Sequence, residues 1–135
     1  MDTPEVVQRV MDYIGGKQPT LFAQKIFTAS DVNRQQNRLL IPQEDVNNLI
    51  LPQLSEVERA NLLAGLALKL YTSPGWDFTI LLSCRHTGGL VLRGSQWTML
   101  LNNANIQLGD RVQIWSFRNA YDNELCLVIA KNNAA

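Results

Sequence analysis

The stretch GLALKLYTSPGWDFTILLSCRHTGGLVLR, Gly65 to Arg93, decides the fold class. From Gly65 the apolar residues fall on every second position. Leu66, Leu68 and Leu70 share one face and Ala67, Lys69 and Tyr71 the other, the period of a half-buried strand. Ser73-Pro74-Gly75 turns the chain, and Trp76 to Ser83 and Gly89 to Arg93 read as two further strands. The polar segment Cys84-Arg85-His86-Thr87-Gly88 joins them, so the result is a hairpin with a basic tip.

Downstream, Ser95 is placed to cap a short helix through Trp97, Leu100 and Leu101 that breaks at Asn102-Asn103. Gly109-Asp110 then turns into a strand over Arg111 to Phe117, where Val112, Ile114 and Ser116 alternate with Arg111, Gln113 and Trp115. A turn around Asn119 to Asn123 leads to a last strand, Leu125 to Ala130. Upstream, Leu21 to Phe27 reads as a strand, and Ser30, Asp31 and Asn33 as turn formers. Arg38 to Ile41 reads as another strand, stopped by Pro42. Val46, Leu49 and Ile50 suit a short helix, and Ser55 with Glu58 makes a capping box for a second one over about residues 56 to 63.

At the N-terminus Thr3, Pro4 and Glu5 are an N-cap, a first-turn proline and an acid at the positive end of the dipole. The helix they open carries Val6, Val7, Val10, Met11 and Ile14 on one stripe and stops at Gly15-Gly16. Six or seven strands with short helices, and no regular alternation of strand and long helix, predict a mainly antiparallel sheet or barrel. At 135 residues with 46% apolar and 18% charged, the chain has core enough for one compact domain.

Twelve Lys and Arg balance twelve Asp and Glu, so any anion site must be local. No apolar run approaches the roughly 20 residues of a membrane span. Asp2 and Glu5 stand where a secretion signal would be basic, so an intracellular location is expected, with Cys84 and Cys126 as thiols. His86 lies two residues from Cys84, but two cysteines and one histidine without a paired-ligand motif do not make a zinc site. Nor does that spacing make a nucleophile with an orienting third group, and Cys84 is expected as a partly buried small hydrophobe. The paired acids Glu44-Asp45 and Glu56 with Glu58 sit at helix starts, where the macrodipole explains them. There is no glycine-rich phosphate loop. Neither catalysis, a cofactor nor a metal is expected.

The distribution of charge says more than its total. Residues 17–43 carry a net of plus three, residues 60–103 plus two and residues 44–59 minus three. Two loops, 28–38 and 83–88, mix arginines with Asn, Gln, Ser and Thr. That mixture suits phosphate anchoring with base-edge hydrogen bonding, because Arg pairs bidentately with guanine and Asn or Gln with adenine. It also suits an ordinary solvated turn, and composition leaves both readings open.

Phe27-Thr28-Ala29-Ser30-Asp31-Val32 followed by Asn37-Arg38-Leu39-Leu40-Ile41-Pro42 resembles the opening signature of the plant B3 DNA-binding domain, a T-x-S-D-V turn before N-R-L-x-I-P. Leu108-Gly109-Asp110-Arg111-Val112 looks like the family's L-x-x-G-D-x-V, and Trp115-Ser116-Phe117-Arg118 resembles the W-S-F-R ending of a subfamily formerly known only as a domain of unknown function. With Trp76 and Trp97, the match covers about residues 20–131 and leaves residues 1–16 as an N-terminal helical extension. Gln43 stands where many members have Lys or Arg, and Gly94-Ser95-Gln96-Trp97 where G-W is usual.

The resemblance implies a seven-stranded open barrel with short helices. It also implies sequence-specific binding of duplex DNA in the major groove by a nuclear transcription factor, with two loops as the gripping arms. Carried onto this chain, the first arm supplies Ser30, Arg34, Gln35, Gln36, Asn37 and Arg38, with Lys25 as a phosphate ligand. The second supplies Ser83, Cys84, Arg85, His86 and Thr87. This reading needs two positively charged loops on the same side of the scaffold, spaced to straddle one groove. The alternative is a B3-like module that binds proteins, as a homodimer or with another chain, through the 4–14 helix or a sheet edge.

Overall fold

The computed structural model describes residues 2–132. In chain order the elements are α1 (Glu5–Ile14), β1 (Gly16–Ile26), β2 (Arg38–Leu40), α2 (Gln43–Asp45), a π-helical turn (Val46–Ile50), α3 (Leu51–Gln53), α4 (Glu56–Ala60), β3 (Leu66–Ser73), β4 (Trp76–Cys84), β5 (Leu90–Arg93), α5 (Trp97–Asn103), β6 (Arg111–Asn119) and β7 (Leu125–Asn132). The strands join one sheet in the order β1-β6-β7-β3-β4-β5-β2. Neighbours are antiparallel except β3 and β7, which run parallel. The sheet curls into an open half-barrel, as the mainly β reading expects. Side chains tie its edge strand β1 across the opening: Lys25 Nζ donates to the Leu40 carbonyl of the other edge, β2, at 2.8 Å, and the Gln24 N–H donates to Asp45 Oδ2 of α2 at 3.1 Å.

Alternation places the core. Leu68 and Leu70 of β3, Ile80 and Leu82 of β4, Leu92 of β5 and Ile114 of β6 point inward onto Phe22, Phe27, Leu39 and Trp97. On the outer face of β3, β7 and β6 a second apolar cluster forms, because α1 lies across it. Val7, Val10 and Met11 pack there on Tyr71, Trp115, Phe117, Val128 and Ala130. Tyr71 and Trp115, expected on a polar outer face, are therefore buried. The apolar stripe of α1 is filled from within the chain.

Local details depart from expectation at several points. The N-cap of α1 is Pro4 rather than Thr3, and the N–H groups of Val7 and Gln8 both turn back to the Pro4 carbonyl, at 3.0 and 3.2 Å. Gly15, at φ 77°, ends α1 as expected, but β1 starts at once at Gly16 instead of Leu21. Pro19, which has no N–H to give a ladder, sits in the register shift between Lys17 and Thr20. Ser95 does not cap α5. The N-cap is Gln96, whose Oε1 instead accepts the Thr79 N–H at 3.0 Å. The Ser55–Glu58 capping box forms as read, but α4 ends at Ala60, ahead of a turn into β3. Cys84 is exposed, because it ends β4 at the base of the hairpin tip, where nothing covers it, and Cys126 is buried.

Candidate nucleic-acid interface

The first loop is rigid at its root. Phe27 follows β1, bonds through its N–H to the Asp110 carbonyl at 2.9 Å and stacks on Trp97 with ring centroids 6.3 Å apart. Asp31, fully buried, accepts from Lys25 Nζ at 3.0 Å, from the Thr28 N–H at 2.8 Å and from Thr28 Oγ1 at 3.0 Å. Trp97 Nε1 donates to the Asp31 carbonyl at 2.8 Å. Ser30 Oγ lies 3.2 Å from Thr28 Oγ1, within the same knot. Lys25, expected on a phosphate, thus has its ammonium committed to Asp31 and Leu40.

Beyond the root, Asn33 Oδ1 accepts the Gln35 N–H at 2.8 Å, and the Asn33 carbonyl accepts those of Gln36 and Asn37. This turn leaves Arg34, Gln35 and Gln36 exposed at the tip. Asn37 closes the loop in the left-handed region, at φ 49°, a conformation that Asn tolerates better than most residues. Its Oδ1 accepts from Thr98 Oγ1 at 3.1 Å and its carbonyl accepts the Gly94 N–H, so Asn37 ties the loop to α5.

The second loop is tighter. The Arg85 N–H donates to the Gly89 carbonyl at 3.0 Å and the Gly88 N–H to the Arg85 carbonyl at 3.1 Å, with Gly88 and Gly89 both at positive φ. His86 and Thr87 are exposed at the tip and Arg85 is half-buried below them. Ser83 is buried and its Oγ accepts from Arg93 Nε at 2.9 Å, so it holds that arginine in place.

The loops leave from opposite ends of the β2–β5 ladder. The first enters at the Arg38–Arg93 pair, and the second departs at Leu90, whose carbonyl accepts the Ile41 N–H. The outer surface of that ladder, about 10 Å long, runs between them. Arg38 and Arg93 are direct partners across it and share that face. A groove of about 690 Å³ opens beside Arg93, walled by Arg85, His86, Thr87 and Leu63, with buried Ser83 and Val91 in its lining.

Among the described residues the ion pairs are Lys25–Asp31, Arg118–Glu58 and Lys131–Asp110. The guanidinium groups of Arg34, Arg38, Arg85 and Arg93 therefore have no carboxylate of the described residues within bridging distance. Arg38 Nη1 is buried with no hydrogen-bond partner. Arg93 and Leu63 are the members that sequence reasoning missed. Arg93 reads as the polar end of a strand until the register sets it against Arg38, and Leu63 reads as the tail of a helix.

The rest of the molecule offers little reaction chemistry. Burial pushes the Cys126 thiol up to about 11 and the Tyr71 hydroxyl up to about 12, so neither ionises near neutral pH. Among the described residues no group of three or more His, Cys, Asp or Glu is placed to hold a metal ion, and no helix is long and apolar enough to cross a membrane.

Comparison with known families places this geometry. The family model described as "B3 domain-containing protein At2g31720-like" matches residues 1–133. The chain belongs to this B3 family. The match begins at the first residue, so α1 lies within the matched region together with the sheet it covers. B3 domains are a DNA-binding family, and the loops just described are the two that the motif resemblance marks as arms. No curated protein matches the chain significantly.

Proposed function

We propose that this B3 domain binds duplex DNA sequence-specifically in the major groove, as the recognition module of a nuclear transcription regulator, and that it catalyses nothing itself. The observation that carries the reading is the set of four arginines without a carboxylate partner on two preorganised loops and on the ladder between them. A duplex supplies both kinds of partner such a surface lacks: phosphate oxygens along its backbones and acceptor edges in its major groove.

In this reading Arg38 and Arg93, fixed on strands, meet phosphates. The exposed tips reach base edges, with Arg34 and Arg85 suited to guanine and Gln35 and Gln36 to adenine, while His86 and Thr87 add hydrogen bonds near the second tip. Lys25, Ser30, Asn37 and Ser83 act one step back: they hold the loop roots and the Arg93 guanidinium. With the charges of the chain balanced overall, long-range attraction to DNA is small, and affinity depends on the few phosphates that the cationic strip neutralises.

The protein-binding alternative through α1 finds less support, since Val7, Val10 and Met11 are already packed on the sheet. Selection from a random duplex library at low salt, followed by competition, tests the reading. The expected result is an enriched site, with Arg34→Ala and Arg85→Ala each costing about 1–3 kcal/mol at one base pair. Unchanged affinity in both variants, or no enrichment at all, would overturn it.

A further inference from the structure

Charge does not account for Leu63. It is 84% exposed, yet the turn that carries it is firmly anchored. Leu62 beside it is buried, and its carbonyl accepts the Cys84 N–H at 3.0 Å; the Gly65 N–H donates to the Asn61 carbonyl at 2.8 Å. These bonds fix the 61–65 turn to the base of the second loop. A Cβ at Gly65, which has φ 110°, would stand 3.5 Å from Arg93 Nη2. Leu63 is thereby held on the wall of the same groove as Arg85, His86, Thr87 and Arg93.

A water-exposed isobutyl group on an anchored turn, among guanidinium donors, fits few ligands. A purely acidic peptide would satisfy the arginines and leave the leucine in water, and a purely apolar helix would cover the leucine and strand the arginines. The major groove of DNA meets both requirements within one or two base pairs. Guanine offers O6 and N7, phosphates line the rim, and the thymine C5-methyl is the one apolar group that the base edges present there.

We propose that Leu63 is a specificity-determining residue that packs on the C5-methyl of a thymine next to the bases contacted by the second loop. The proposal rests on the duplex-DNA reading above and deepens it. The groove favours thymine at that position by contact with its methyl group, independent of any hydrogen bond. The side chain is free of the folded core, so its replacement leaves the scaffold intact.

The test starts from the duplex enriched by the selection above. Each thymine is replaced singly by deoxyuridine, which removes only the methyl group, and binding is measured by fluorescence anisotropy for the unaltered chain and for Leu63→Ser. One thymine-to-uracil change is expected to weaken the unaltered chain about fourfold, the value of one buried methyl. The same change leaves Leu63→Ser unaffected, because that variant has already lost the contact. An enriched site without thymine, no position costing more than about twofold, or an equal loss in both proteins overturns the role of Leu63 while DNA binding stands. Failure to enrich any duplex overturns the DNA reading itself, and this proposal with it.

Discussion

Arg38 and Arg93 face each other across the β2–β5 ladder, two cations on one side of a sheet with no carboxylate between them. Like charges directly opposite on antiparallel strands destabilise the pair. Here Ser83 fixes one guanidinium at 2.9 Å, and the other keeps a buried Nη1 without a partner. An oxyanion lying over the ladder offsets the repulsion between the two guanidinium groups. Arg93→Gln should therefore leave thermal stability unchanged or slightly raised at low salt. Its duplex affinity should fall for all sequences alike, and the slope of log K against log salt should flatten by about one. Anisotropy titrations at several salt concentrations measure this, and an unchanged slope would remove Arg93 from the phosphate contacts.

Asp31 governs the shape of the first loop. Its buried carboxylate takes three hydrogen bonds, one from a cation, while its carbonyl holds the Trp97 indole. Asp31→Ala would leave the Lys25 ammonium and the Thr28 N–H without their acceptor, a loss of about 3–5 kcal/mol for breaking a largely buried pair. Urea unfolding should show the midpoint falling with the slope unchanged. A loss under about 1 kcal/mol would mean that solvent replaces the carboxylate, and that the loop root is softer than its hydrogen bonds suggest.

Where the fold was legible in the sequence, the signal was short-range. Both halves of the Ser55–Glu58 box lie within four residues, and the two-residue period of β3 needs only β3 itself. What escaped depends on partners far along the chain. Trp115 reads as an outward residue until α1, a hundred residues earlier, covers it. The early start of β1 is hidden by Gly15-Gly16 and Pro19, which look like a stop and become a cap followed by a bulge. The parallel β3–β7 pairing leaves no local trace. The same holds at the candidate interface: both loops could be marked from residue type alone, but Arg93 and Leu63 join them only through register and a backbone bond to Cys84. Lys25 and Ser83 show the converse, polar residues whose partners lie inside the protein.

Because α1 closes the second apolar cluster, it should contribute to stability as a core element. Met11 is 6% exposed against the sheet. Met11→Ala should cost about 2–5 kcal/mol. Deletion of residues 2–15 should lower the melting temperature further and expose Trp115, seen as a red shift of tryptophan emission. If the deletion left the melt unchanged, the helix would be an appendage and its stripe would be free for a partner.

The Arg118 guanidinium, bonded to both Glu58 oxygens at 2.7 and 2.8 Å, holds that carboxyl below its ordinary value of 4.5. A carboxyl whose folded-state value is depressed stabilises the protein fully above its unfolded value. That contribution then disappears as pH falls through the folded one. Urea midpoints should therefore hold steady above about pH 5 and decline toward pH 3. Glu58→Gln keeps an acceptor for the Ser55 N–H, as a capping box allows, but removes the charge. Its midpoint should be lower than that of the unaltered chain at neutral pH, and the two should converge in acid. Asp110, lowered by the Gln107 N–H and by Lys131, titrates with the same sign, so a shallower acid limb should persist in Glu58→Gln and shrink again when Asp110→Asn is added. Parallel curves for the unaltered chain and Glu58→Gln across the whole range would show that the Arg118 pair between α4 and β6 adds nothing that depends on ionisation.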